Sequence, residues 1–166
     1  MILNQQKGYA LPRTVLRDYV RSLKRKLRLG KCDFNVCFVD NAGIRRMNAA
    51  FRGQDRATDV LSFPWREQAG PRRAARVIPR SGPTFLGKGE FQGFLGDIVI
   101  SVETARRNAR EEGHSTRDEI RWLILHGVLH LLGYDHACDN GEMTALELAL
   151  RERLGVAGGR PRRSSP

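Results

Sequence analysis

His126-Gly127-Val128-Leu129-His130-Leu131-Leu132-Gly133-Tyr134-Asp135-His136 is the stretch on which the reading of this chain turns; it holds three of the protein's four histidines. His126 and His130 are four residues apart, which on a helix stacks both side chains on one face, one turn above the other. Gly133 can end that helix in a left-handed conformation. The chain then doubles back and His136 can approach the first pair from the side. Three neutral imidazoles converging on one point form a zinc site with one coordination position left for water or substrate. A closed structural site needs a fourth protein ligand, and Cys138 is the one nearby candidate. The spacing therefore favours an open, catalytic centre holding one Zn2+ on His126, His130 and His136.

Upstream of His126 the same helix predicts from Ser115 or Thr116 to Leu132. Ile120, Leu123, Ile124, Val128, Leu129 and Leu131 make it apolar nearly all round, as expected of a central, buried helix. Ser101 caps a preceding polar helix that Gly113 ends. Before it, Phe94 to Ile100 reads as a buried strand interrupted by Asp97, which needs a partner there or a place at the strand end. Cys32 to Val39 alternates as a second strand, and Thr58 to Phe63, stopped by Pro64, as a third. Asp40 and Asn41 cap a short helix bearing Ile44, Met47 and Phe51. Pro12 opens an amphipathic helix through Val15, Leu16, Tyr19, Val20, Leu23 and Leu27, which the spacing runs to Gly30. Its other face is basic, and the cluster Lys24 to Lys31 suits either phosphate or plain solvation. Residues 1 to 10 leave room for one more strand. A last helix spans about 141 to 154, with Met143, Leu146, Leu150 and Leu154 on one side.

These elements predict an α+β domain: a small mixed β-sheet flanked by helices, with the metal-binding helix packed on it. One domain covers residues 1–155, interrupted at 65–93 by a long loop rich in Arg, Pro and Gly; residues 156–166 form a basic tail of disordered composition. With 166 residues and 40% apolar composition, the chain is long enough for one real core. Lys and Arg number 29 against 18 acids, a formal charge of +11, which points to a polyanionic partner, most often nucleic acid. Three scattered cysteines exclude a disulfide scaffold and suit a reducing compartment. No leader-like or membrane-spanning run is visible, so a cytoplasmic protein without a membrane partner is expected.

Zinc acidifies its bound water to a pKa of about 7, and the resulting hydroxide can attack a peptide carbonyl or a phosphodiester. His-x3-His-x2-Gly-x2-His is also the spacing of metzincin peptidases, which carry a glutamate base directly after the first histidine. Here that position is Gly127, so a peptidase would need Asp135 or Asp97 as its base. The missing glutamate and the positive charge favour a phosphate ester, whose developing charge calls for a cation. Arg52, at a helix end just before a strand, is the candidate catalytic residue.

The histidine block closely resembles the signature of the YbeY family, the bacterial rRNA-maturation endoribonucleases. Asn48-Ala49-Ala50-Phe51-Arg52, Thr58 to Pro64, Leu95 to Ser101 and Glu103 to Arg106 resemble that family too, so the likeness covers roughly residues 32 to 154 in blocks. It implies a metalloproteinase-like fold and a metal-dependent, single-strand-specific endoribonuclease acting in rRNA 3′-end maturation and ribosome quality control. It further implies zinc on His126, His130 and His136, an arginine important for activity at Arg52, and single-stranded rRNA and ribosomal subunits as partners, with no DNA. Residues 66–92 are longer than the family's usual connection, and the tail after 155 is extra. His114 matches relatives in place but receives no role. The competing expectations are a metallopeptidase on the same three-histidine site and a non-catalytic ribosome-assembly factor.

Overall fold

The computed structural model describes residues 1–65, 93–134 and 142–156. Four strands, β1 (Ile2–Asn4), β2 (Asp33–Val39), β3 (Val60–Pro64) and β4 (Phe94–Ser101), form one sheet in the order β1-β2-β4-β3. β1, β2 and β4 run parallel, and β3 pairs antiparallel to β4. The five helices are α1 (Arg13–Lys26), α2 (Asn41–Arg52), α3 (Val102–Glu111), α4 (Thr116–Leu131) and α5 (Glu142–Leu154). This is the small mixed sheet with flanking helices expected from the sequence. The long basic segment within 66–92 and the tail from 157 lie outside the described residues.

Alternation along the strands separates two cores, because successive side chains point to opposite faces. Phe34, Val36 and Phe38 of β2, with Ile98 and Ile100 of β4, face the larger core, which α1, α4 and α5 cover. Val39 and Val99, with Leu61 of β3, face a smaller core closed by Ile44 of α2. Thus α2 and α4 lie on opposite faces of the sheet. Both touch the edge strand β3.

Helix ends follow local chemistry. The Asp40 carboxylate accepts from Gly43 N at 2.7 Å, Ser101 Oγ from Thr104 N at 3.2 Å and Ser115 Oγ from Asp118 N at 3.1 Å, so α2, α3 and α4 each have a side-chain N-cap. α4 ends where Gly133, at φ 91°, lets its own N–H reach His130 O and that of Tyr134 reach Leu129 O. α1 ends earlier than its hydrophobic repeat suggests. Arg28 N donates to Arg25 O and Leu29 N to Lys24 O, the same double closure, with Leu29 buried beneath. Here the left-handed position is occupied by Arg28 at φ 52°, where glycine is usual. An L-residue in that conformation costs about 1–2 kcal/mol.

Where α4 crosses β4, backbone meets side chain. A Cβ on Gly127 would lie 2.7 Å from Ile98 Cγ2. Gly96, at φ 141°, sits where the β2–β4 register shifts, and a Cβ there would lie 2.2 Å from Phe63 O. Both glycines are close-approach points rather than flexible ones.

Candidate metal centre

α4 places His126 and His130 as their spacing predicts. Their Nε2 atoms are 3.0 Å apart and their rings meet edge to face, with centroids at 4.6 Å. His126 keeps 14% of its side chain exposed, so the pair opens to solvent on one side while its stems enter the core. His136, Asp135 and Cys138 lie outside the described residues. Among the described residues no third His, Cys, Asp or Glu completes a metal-binding group with the pair.

The ring orientation of His126 is set from behind. Its Nδ1 lies 3.2 Å from Glu147 Oε1 on α5, and Glu147 is only 2% exposed. A carboxylate accepts, so Nδ1 carries the proton and the lone pair of the neutral ring is on Nε2. That lone pair faces the Nε2 of His130. Two such nitrogens at 3.0 Å are comfortable only with a proton or cation between them. Two imidazoles on one tetrahedral zinc stand about 3.3 Å apart, so the residues present fit the metal. An imidazole held through its other nitrogen by a carboxylate is also how metal-binding histidines are usually oriented.

Glu147 is itself braced. The indole Nε1 of Trp122 donates to the same carboxylate oxygen, and the Arg151 guanidinium lies 3.9 Å above the Trp122 ring. Burial lowers the pKa of Arg151, and the Glu147 carboxylate works against that shift. Trp122 and Glu147 are both almost wholly buried. The sequence reading missed Glu147. Its signal was present: it lies between Leu146 and Leu150, within the apolar stripe of the last helix, where an acid needs a partner.

The other candidates are carried by other elements. Arg52 is the last residue of α2, exposed before the left-handed Gly53, on the sheet face away from α4. Its neighbour Phe51 stands edge-on to Phe63 of β3, ring centroids 4.9 Å apart, so Arg52 and the histidines flank the same edge strand from two sides. Asp97 accepts from Asn35 Nδ2 at 2.8 Å within the sheet; it is a paired strand residue, not a neighbour of the histidines. His114 Nε2 lies 2.7 Å from the fully buried Glu119, a pair inside the core. Gly127 points at Ile98 rather than toward the histidine pair, so the position where metzincins carry their base faces the sheet here.

The family model described as Endoribonuclease YbeY matches residues 2–155. The chain belongs to the YbeY family. Among curated YbeY endoribonucleases it is 44% identical to that of Nautilia profundicola over 75% of this chain and 73% of the relative. It is 39% identical to that of Solibacter usitatus over 89% and 86%, and 37% identical to that of Moorella thermoacetica over 93% and 96%. A Thermotoga maritima protein solved in solution has a similar fold, with TM-score 0.58 and 28% identity over 92% of this chain and 87% of that one. His126 and His130 thus sit on a fold with a solved counterpart. No helix among the described residues is long and apolar enough to cross a membrane.

Proposed function

We propose that this chain cleaves single-stranded ribosomal RNA at a zinc centre held by His126, His130 and His136, with Arg52 neutralising charge on the phosphate. That it is an endoribonuclease, a hydrolase acting on RNA, follows from its family. The same membership sets aside the metallopeptidase and the non-catalytic assembly factor. Zinc as the metal, ribosomal subunits as partners and the residue roles are the finer reading. The observation that carries it is the pair of Nε2 atoms turned toward each other at 3.0 Å, with Glu147 behind one ring.

When bound, zinc supplies a Lewis acid for the phosphoryl oxygens. The chain's own residues do the rest. His126 and His130 present neutral nitrogens from a rigid, buried helix, and Glu147 keeps the His126 proton on Nδ1. Arg52, beside β3 and open to solvent, presents a permanent positive charge to a strand crossing that edge. Gly127 offers no proton acceptor, which suits a reaction without a glutamate base at that position.

Elemental analysis of the purified protein, paired with cleavage of single-stranded and duplex RNA with and without chelator, tests the reading. Stoichiometric zinc, chelator-sensitive cleavage of the single strand, and loss of cleavage with retained fold in His126→Ala and Arg52→Ala are expected. Metal-replete protein that leaves single-stranded rRNA intact overturns it.

A further inference from the structure

Residues 13–31 carry eight Lys or Arg against one acid, Asp18. The buried side of α1 takes Leu16, Tyr19 and Leu23, with Leu27 just beyond its end. The basic residues therefore gather on the outer side. Arg17, Arg21, Lys24 and Arg25 of α1, Arg28 of the turn after it, and Ile2 of β1 line a groove of about 820 Å3 along the sheet's β1 edge. Strands β2 and β4 separate this edge from β3, beside which the histidines sit. The groove is thus a place of its own.

Three features give it a partner. Its cations recur every three or four residues, a rise of about 4.5–6 Å per step, on the scale of the step between neighbouring phosphates on a nucleic acid strand. Two of them are partly answered within the protein: Arg21 pairs with Asp18 at 2.9 Å and Lys24 with Asp33 at 2.6 Å. Arg17, Arg25 and Arg28 make no ion pair among the described residues, and all three are exposed. Finally, Arg28 holds a left-handed backbone in a closure that glycine would make without strain. Strain of this kind persists where the side chain is needed, and here it delivers one more guanidinium to the groove.

We propose that the α1–β1 groove is a second RNA-binding surface, a track for the phosphate backbone of a single strand that extends beyond the catalytic cleft. The choice of RNA rests on the proposed function; the groove itself does not depend on the metal. The surface raises affinity for long substrates and leaves the chemistry on short ones alone. It is sequence-independent, because its contacts are to phosphate.

The test compares the full-length protein with Arg28→Gly and with the triple variant Arg17→Gln/Arg25→Gln/Arg28→Gly. Fluorescence anisotropy with a long single-stranded RNA, chelator present, gives affinity against salt. Each lost phosphate contact makes the log–log salt slope shallower by about 0.7, so the triple variant should lose about 2 and bind roughly tenfold or more weakly. Arg28→Gly should melt at a higher temperature than the parent yet bind RNA less tightly, which separates a functional arginine from a merely tolerated one. Cleavage of a short oligonucleotide should keep its kcat in all variants. An unchanged salt slope in the triple variant overturns the proposal. So does loss of binding to phosphatidylserine vesicles with RNA affinity unchanged, which would make the groove a membrane contact. Failure of the parent to cleave the short oligonucleotide would count against the proposed function and leave the salt slopes to decide the groove.

Discussion

Gly127→Ala adds a single methyl where α4 crosses β4 at close approach. Its Cβ would stand 2.7 Å from Ile98 Cγ2, 3.0 Å from Cδ1 and 3.1 Å from Cγ1. Carbon atoms rest at about 3.5–4.0 Å, so helix and strand must part by roughly 1 Å or Ile98 must leave its rotamer. Ile98 is fully buried, with β2 and β3 on either side of its strand, and has nowhere to turn. Overpacking of this kind costs about 1–3 kcal/mol, and the better helix propensity of alanine returns about 1 kcal/mol. A net loss of up to about 2 kcal/mol is expected, a fall in Tm of up to roughly 8 °C for a chain of this size. The decisive assay is a double-mutant cycle by urea unfolding. Ile98→Ala alone should cost about 2–5 kcal/mol through the cavity it leaves. In the double variant the new methyl enters that cavity, so the combined loss should fall short of the sum by at least about 1 kcal/mol. Strict additivity, or a Gly127→Ala protein that melts higher than the parent, would refute the close-approach reading.

Glu147→Leu should weaken zinc binding about 10–100-fold in competition with a chelating dye, while Glu147→Gln, which keeps an acceptor oxygen, should lose far less; equal affinities for both would show that the carboxylate does not orient His126. Gly96→Ala would place a Cβ 2.2 Å from Phe63 O at φ 141°, so a loss beyond about 3 kcal/mol is expected. An unchanged melting curve would contradict this. Asp40→Ala removes the acceptor from Gly43 N and should lower stability by about 1 kcal/mol, read as a small fall in denaturation midpoint at unchanged slope.

Much of this arrangement was legible in the residues. The helix carrying His126 and His130 announces itself through its apolar circumference and through Ser115 and Gly133 at its ends. Asp40 and Ser101 mark two further helix starts by the oxygen each offers to the first turn. The β-rich run from Thr58 suggests a strand start two residues before β3 begins at Val60: the Asp59 carbonyl still accepts from Ser101 N at 2.9 Å, but its carboxylate accepts from Val60 N at 2.8 Å and holds that residue in a bend. What could not be read depends on side chains distant in the chain. That Glu147 needs a partner can be read from its place in the apolar stripe of α5, but that its partners are His126 and Trp122 depends on α5 lying against α4. Gly127 looks like a missing base until β4 passes beneath it. The left-handed Arg28 breaks a local preference, so a rule built on glycine moved the end of α1 to Gly30.

Glu147 lies 21 positions downstream of the imidazole it steadies, on the last helix in the described chain. A polypeptide cut short before that point would keep both α4 histidines yet leave the first free to shift its proton between nitrogens. On the proposed metal reading, competence to seat the ion arrives late in synthesis, when the final helix folds back, and a prematurely terminated product should be a poor nuclease.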